Sequence, residues 1–167
     1  SRYVFITGGS TGTAAQIKGG YYVGAGRPDD AYRRVWKWFA TGFCISVAII
    51  LALNLAKGGV LSLFTPNASI IALASAALTV GFALEPARNF NTIIIPALKG
   101  SGDTLFPMLA GMCFQWGFGV FLSWLFGLKL GLGLPGVWMA MACDEWSRGV
   151  TMALRWRSGA WRRKALV

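Results

Sequence analysis

Leu84-Glu85-Pro86-Ala87-Arg88-Asn89-Phe90-Asn91 lies about midway along an otherwise apolar stretch, Ser69–Leu98, long enough to cross a bilayer. Glu85 and Arg88 stand three residues apart, so on a helix they share one face. Burying either charge in hydrocarbon is costly, and such residues usually face a bundle interior or a wet cavity. The stretch therefore predicts a membrane helix that carries functional residues at mid-depth.

The rest of the chain agrees with a membrane setting. Its 167 residues are 55% hydrophobic and only 13% charged, with a mean hydropathy of +0.55. Ordinary soluble domains carry about 25% charged residues. Trp36–Ala56, Ser69–Leu98, Leu105–Leu128 and Leu134–Leu154 each reach roughly the 20 residues that a transmembrane helix needs. A further segment, Tyr3–Gly24, is rich in Gly, Ser and Thr and too polar to assign from hydropathy alone. The expected fold class is an all-α polytopic transmembrane bundle of about five spans, 3–24, 36–56, 69–98, 105–128 and 134–154, with a basic cytoplasmic tail over 155–167.

A formal net charge of +10 would suggest nucleic acid in a soluble protein. Here the charges cluster between spans. Arg27, Arg33, Arg34 and Lys37 precede the second segment, and Arg155, Arg157, Arg162, Arg163 and Lys164 follow the last. The loops on the other side hold Lys57 and Lys129 only. Cytoplasmic loops carry the Lys/Arg excess, which predicts residues 27–37 and the tail inside and the N-terminus outside. The loop 99–104, with Lys99 against Asp103, is uninformative. The expected location is the inner (plasma) membrane with a cytoplasmic C-terminus; the expected partner is the lipid bilayer, with no nucleic acid.

Cys44, Cys113 and Cys143 lie on different apolar segments without CxxC spacing, and the chain has no His. Neither a disulfide framework nor a metal site is expected. No cofactor is expected beyond a coupling ion. Ser1 leads into a segment lacking a basic n-region, which reads as a cut rather than a secretory signal.

Two nucleotide-binding patterns are discarded on context. Val4-Phe5-Ile6-Thr7-Gly8-Gly9-Ser10-Thr11-Gly12-Thr13-Ala14 has the letters of a strand-turn-helix opening, but Ala14 stands where the last glycine belongs. No strand and helix alternation follows it. Gly131-Leu132-Gly133-Leu134-Pro135-Gly136 falls between two membrane segments and reads as a turn, with Pro in the first helical turn.

Gly24-Ala25-Gly26-Arg27-Pro28-Asp29-Asp30 predicts a helix stop, with Gly26 as C-cap, and a new start. Ala31, Val35, Trp36 and Phe39 then recur at helical spacing between Arg33, Arg34 and Lys37, predicting a short amphipathic helix at the inner interface. Small residues spaced by four, such as Gly8/Gly12 and Ala48/Ala52/Ala56, predict close helix packing. Pro86 and Pro96 cannot donate to the carbonyls of Phe82 and Thr92, and both should kink their helix.

The order of these motifs resembles the multidrug and toxic compound extrusion (MATE) family. The residues that carry it are Gly24–Ala31, Glu85-Pro86-x-Arg88-x-Phe90-Asn91, Ala97-Leu98-Lys99-Gly100-Ser101-Gly102-Asp103-Thr104-Leu105-Phe106-Pro107, Gly133–Trp138, Asp144-Glu145, Arg148-Gly149 and Leu154–Trp161. The resemblance implies two six-helix bundles around a central cavity. This chain would then hold most of the eighth helix through the twelfth, as a C-terminal bundle fragment, with the N-terminal bundle of the same protein as its missing partner. It also implies secondary active export, not enzymatic chemistry: cationic or amphiphilic organic compounds leave the cell in exchange for H⁺ or Na⁺.

Substrate- or ion-binding roles are expected for Glu85, Arg88, Asn89, Gln115, Asp144, Glu145 and Arg148. Glu85 would line the cavity with Arg88 as its resting partner; a structural ion pair is the other reading. Arg148 lies four residues after Asp144 and three after Glu145, so one carboxylate is left over. Charge count favours that site for an exchangeable proton or cation, whereas the resemblance favours the helix that carries Glu85. Gln115 and Trp116, with Asn89 and Asn91, could supply hydrogen bonds and an aromatic face for organic cations, or act as interhelical glue. Two other functions stay open: a flippase or exporter of lipid-linked or polysaccharide substrates, which would want positive charge in its cavity, and a non-transporting membrane subunit.

Overall fold

The computed structural model describes residues 2–164, and they form helices joined by short turns. The helices are α1 (Arg2–Gly24), α2 (Pro28–Leu55), α3 (Lys57–Phe64), α4 (Ala68–Asn89), α5 (Ile95–Gly100), α6 (Leu105–Phe114), α7 (Phe121–Ser123) and α8 (Gly133–Arg157). Three π-helical turns, Phe90–Ile94, Gln115–Val120 and Trp124–Lys129, join α4 to α5 and continue α6 through α7. No strand occurs among the described residues. The fold is an all-α membrane bundle.

Local chemistry sets the breaks. Gly26 takes φ +73 after α1, and the amides of Gly26 and Arg27 donate back to the carbonyls of Val23 and Tyr22. This is a Schellman cap, which a residue with a Cβ enters only under strain. Pro28 then opens α2, with Asp29 and Asp30 in its first turn. Asn67 caps α4, its side-chain oxygen accepting from the amides of Ser69 and Ile70.

Three elements differ from the sequence expectation. The interfacial helix and the following span are one continuous 28-residue helix, α2, because nothing between Phe39 and Phe43 breaks it. Residues 57–68, expected as a loop, contain α3: Val60, Leu61 and Leu63 supply apolar helix formers once Ala56 has ended α2. The last helix outruns its expected end at residue 154, and the start of the basic tail is folded. α8 runs to Arg157, Ala160–Arg163 forms a 3-10 turn, and Trp161 is fully buried. Residues 165–167 of the expected tail lie outside the described residues. Val4–Ala14 is helical within α1, as its rejection as a dinucleotide motif requires.

Three helices are long and apolar enough to cross a membrane: Pro28–Leu55, Ala68–Gly100 and Leu105–Lys129. The outer surface is correspondingly apolar, with Leu51, Leu73, Phe82, Phe121 and Leu154 exposed. Inside, α8 packs along α4, while α1 packs on α2 and α5. One continuous core joins Ala15 of α1, Val35 of α2, Ile93, Leu98 and the α8 residues Met152 and Trp156. Gly12 sets the α1 contact: a Cβ there would collide with the Thr92 carbonyl oxygen. That carbonyl is the one deprived of its helical donor by Pro96, so glycine and proline act together to bring α1 against the interrupted helix.

Candidate functional site

The polar side chains cluster on the facing surfaces of α4 and α8. On α4, Glu85 is only 4% exposed, and its Oε1 lies 3.1 Å from Arg88 Nη1. Pro86 is buried inside the helix between them. Its ring loosens the preceding turn, and the indole Nε1 of Trp146 on α8 donates to the Ala83 carbonyl at 2.8 Å. The distortion at Pro96 is taken up by the π turn Phe90–Ile94. There the Thr92 hydroxyl donates to the Arg88 carbonyl at 3.0 Å.

The two asparagines divide their work. Asn89 is buried and donates to Ser46 Oγ on α2 and to the Glu85 carbonyl. Its contacts are those of interhelical glue rather than of a ligand group. Asn91 turns to α8 and donates to both the backbone carbonyl and the Oε2 of Glu145.

On α8, Arg148 Nη2 lies 2.7 Å from Asp144 Oδ2 and 3.5 Å from Glu145 Oε1. Asp144 is 4% exposed. Three polar atoms here are buried without a hydrogen-bond partner in the described residues: Asp144 Oδ1, Asn91 Oδ1 and Arg148 Nε. Uncompensated buried polar atoms are uncommon and need a partner or a function. Beside them opens a cavity of about 420 Å³, lined by Gln115, Ser123, Met141, Asp144, Glu145 and Arg148 among others. Gly119 forms part of its wall, and a Cβ there would press on the Gln115 amide at 3.0 Å.

Of the expected residues, Gln115, Asp144, Glu145 and Arg148 share this cavity. Glu85 and Arg88 pair with each other on α4 and are not among its lining residues. The ring of Trp116 points outward, at 70% exposed. Ser46, Ser123 and the Trp146–Ala83 bond were not singled out from the sequence; a lone serine or tryptophan in an apolar segment gives no signal of its partner.

The fold and the buried charge cluster define a helical membrane protein with a polar interior. A family model described as MatE matches residues 2–125. The chain belongs to the MatE family. It is 37% identical over 165 residues to the Uncharacterized transporter YisQ of Bacillus subtilis (strain 168), covering 99% of this chain and 36% of that protein. It is 32% identical over 149 residues to the Multidrug resistance protein NorM of Burkholderia vietnamiensis, covering 86% of this chain and 32% of the relative. A Probable multidrug resistance protein NorM of Xanthomonas axonopodis pv. citri is 28% identical over 154 residues, covering 92% and 34%. The chain thus spans about a third of the length of these relatives. No solved structure matches it.

Proposed function

We propose that this chain is the C-terminal bundle of a secondary active exporter that expels cationic or amphiphilic organic compounds in exchange for H⁺ or Na⁺. Five helical units, α1, α2, α4–α5, α6–α7 and α8, would cross the inner (plasma) membrane, with the Arg-rich end of α8 in the cytoplasm. The N-terminal bundle of the same protein would supply the other wall of the transport path, by alternating access between two bundles. The names of the relatives support the class of activity.

The observation that carries this reading is the charge balance of the buried cluster. Three carboxylates, Glu85, Asp144 and Glu145, face two guanidinium groups, Arg88 and Arg148. If all are ionised, one negative charge remains, beside a cavity and an unpartnered Asp144 oxygen. Such a site attracts cations and repels polyanions, which disfavours the flippase reading. Glu85, with Arg88 as its resting partner, attracts the cationic substrate or takes part in ion coupling; Asp144 presents its free oxygen to the coupling ion or the substrate cation.

The test is ethidium efflux from energised cells producing the intact protein, comparing wild type with Glu85→Gln and Asp144→Asn at equal membrane abundance. Both variants should lose at least tenfold in initial rate, on the order of the 1.4 kcal/mol or more that a coupled charge contributes. Undiminished export by both would remove the proposal.

A further inference from the structure

The end of α8 builds a second site, remote from the cluster above. The chain reverses at Gly159, which takes φ +67, and the following 3-10 turn folds back so that Trp161 stacks on Trp156 with centroids 4.3 Å apart and rings within 5° of parallel. The Trp161 indole donates to the Trp156 carbonyl at 3.0 Å. Tyr32 of α2 continues the stack, 6.5 Å from Trp156 and 6° off parallel. This aromatic clamp fixes the short segment Ser158–Arg163 against the first turns of α2.

Its consequence is electrostatic. Arg157, Arg162 and Arg163 converge on a cleft of about 570 Å³ whose wall includes Tyr32 and Ser158. Arg162 is held in place: its guanidinium sits 5.5 Å from the Trp161 ring centroid and 5.9 Å from that of Tyr32, and Nη2 contacts Asp29 Oδ1 at 2.7 Å. Its Nε is buried and has no partner among the described residues. Arg157 and Arg163 are exposed and join none of the ion pairs formed among the described residues. Three guanidinium groups therefore share one concavity against a single carboxylate. A solvated helix end would let such like charges splay apart; the buried Trp161 prevents it.

Guanidinium forks match phosphate oxygens in planar, bidentate geometry. The cleft also has a defined height. It adjoins the start of α2, whose later turns run into the apolar stretch that can cross a membrane, so a bound group would sit at the boundary between water and lipid. Basic pockets beside membrane helices suit anionic headgroups. We infer that the cleft formed by Arg157, Arg162, Arg163, Ser158 and Tyr32 binds a phosphate-bearing anion, supplied in the membrane by the headgroup of an anionic phospholipid. The lipid ties the end of α8 to α2 through the same surface that the aromatic stack joins.

The intact protein is purified in neutral detergent and exposed to phosphatidylglycerol, phosphatidylcholine or inorganic phosphate, with bound lipid read by native mass spectrometry and stability by thermal melting. Wild type should retain phosphatidylglycerol in preference to phosphatidylcholine. The pair Arg157→Gln with Arg163→Gln should bind it about 10- to 30-fold more weakly, as expected for two basic contacts near a membrane surface, while melting unchanged in phosphatidylcholine. Arg163→Gln alone, which removes one exposed side chain, gives the same comparison if the double variant fails to fold. Equal retention by wild type and variant overturns the site. Stabilisation by millimolar phosphate that matches phosphatidylglycerol overturns the lipid as occupant and leaves a soluble phosphate site.

Discussion

Asn91 and Glu145 are joined twice: the Asn91 amide donates to the Glu145 backbone carbonyl at 3.0 Å and also to its Oε2. The bond locks the π turn that follows α4 onto the middle of α8, and it removes Glu145 from full competition for Arg148. Asp144, the nearer partner of Arg148, is then the carboxylate with a free oxygen. Replacing Asn91 with Leu should release Glu145 toward Arg148 and weaken the α4–α8 contact. Interhelical hydrogen bonds of this kind contribute about 0.6–2 kcal/mol in membranes. A loss of that size in a reversible unfolding titration is expected, and no loss would mean the bond is dispensable.

The Glu85–Arg88 pair separates structure from function through its double variant. Glu85→Gln alone leaves a partly buried guanidinium without its acid, and truncating one member of a buried pair costs about 3–5 kcal/mol. Adding Arg88→Gln removes the orphaned charge and should restore most of the melting temperature. If the pair is only structural, efflux returns with stability. Under the proposed role, stability returns and efflux does not.

Gly12 gives a sharp packing test. A methyl group there meets the Thr92 backbone carbonyl, which cannot rotate away as a side chain could. Gly12→Ala should therefore destabilise by about 1–3 kcal/mol, the usual effect of overpacking. Gly9, one turn earlier, has nothing within 4 Å of an added Cβ. Gly9→Ala should be neutral or stabilising by about 0.5–1 kcal/mol through helix propensity. Thermal melting of both variants decides the matter: equal losses would mean that α1 does not pack as described.

Much of this was legible in the sequence because membrane spans announce themselves by length and apolarity, and because Gly26 and Pro28 can end and start helices in few other ways. Glu85, Arg88, Asp144 and Arg148 were equally legible: i,i+3 and i,i+4 spacing fixes which charges on one helix can meet. Contacts between helices were not. Asn89 and Asn91, two positions apart, fall on opposite faces of a helix, but that one face meets Ser46 of α2 and the other Glu145 of α8 is decided by how the helices pack. The folded tail was hidden for a different reason. Arg155-Trp156-Arg157 and Trp161-Arg162-Arg163 read only as a basic tail, and no spacing signals that Gly159 reverses the chain and one tryptophan lands on the other.

That stack supplies the last prediction. Trp161 is fully buried, closes the core at the end of α8 and holds Arg162 over Tyr32. Trp161→Ala should cost about 3–5 kcal/mol, the range for deleting a large buried aromatic, and should free the segment after Gly159. Trp116→Ala is the matched control, because its ring is 70% exposed; in detergent it should change stability by less than about 0.5 kcal/mol. Limited proteolysis reads the local effect directly. The Trp161 variant should be cleaved after Arg157, Arg162 or Arg163 by trypsin under conditions where wild type resists, while the Trp116 variant stays intact. Equal resistance of all three would show that the aromatic clamp does not restrain the end of the chain.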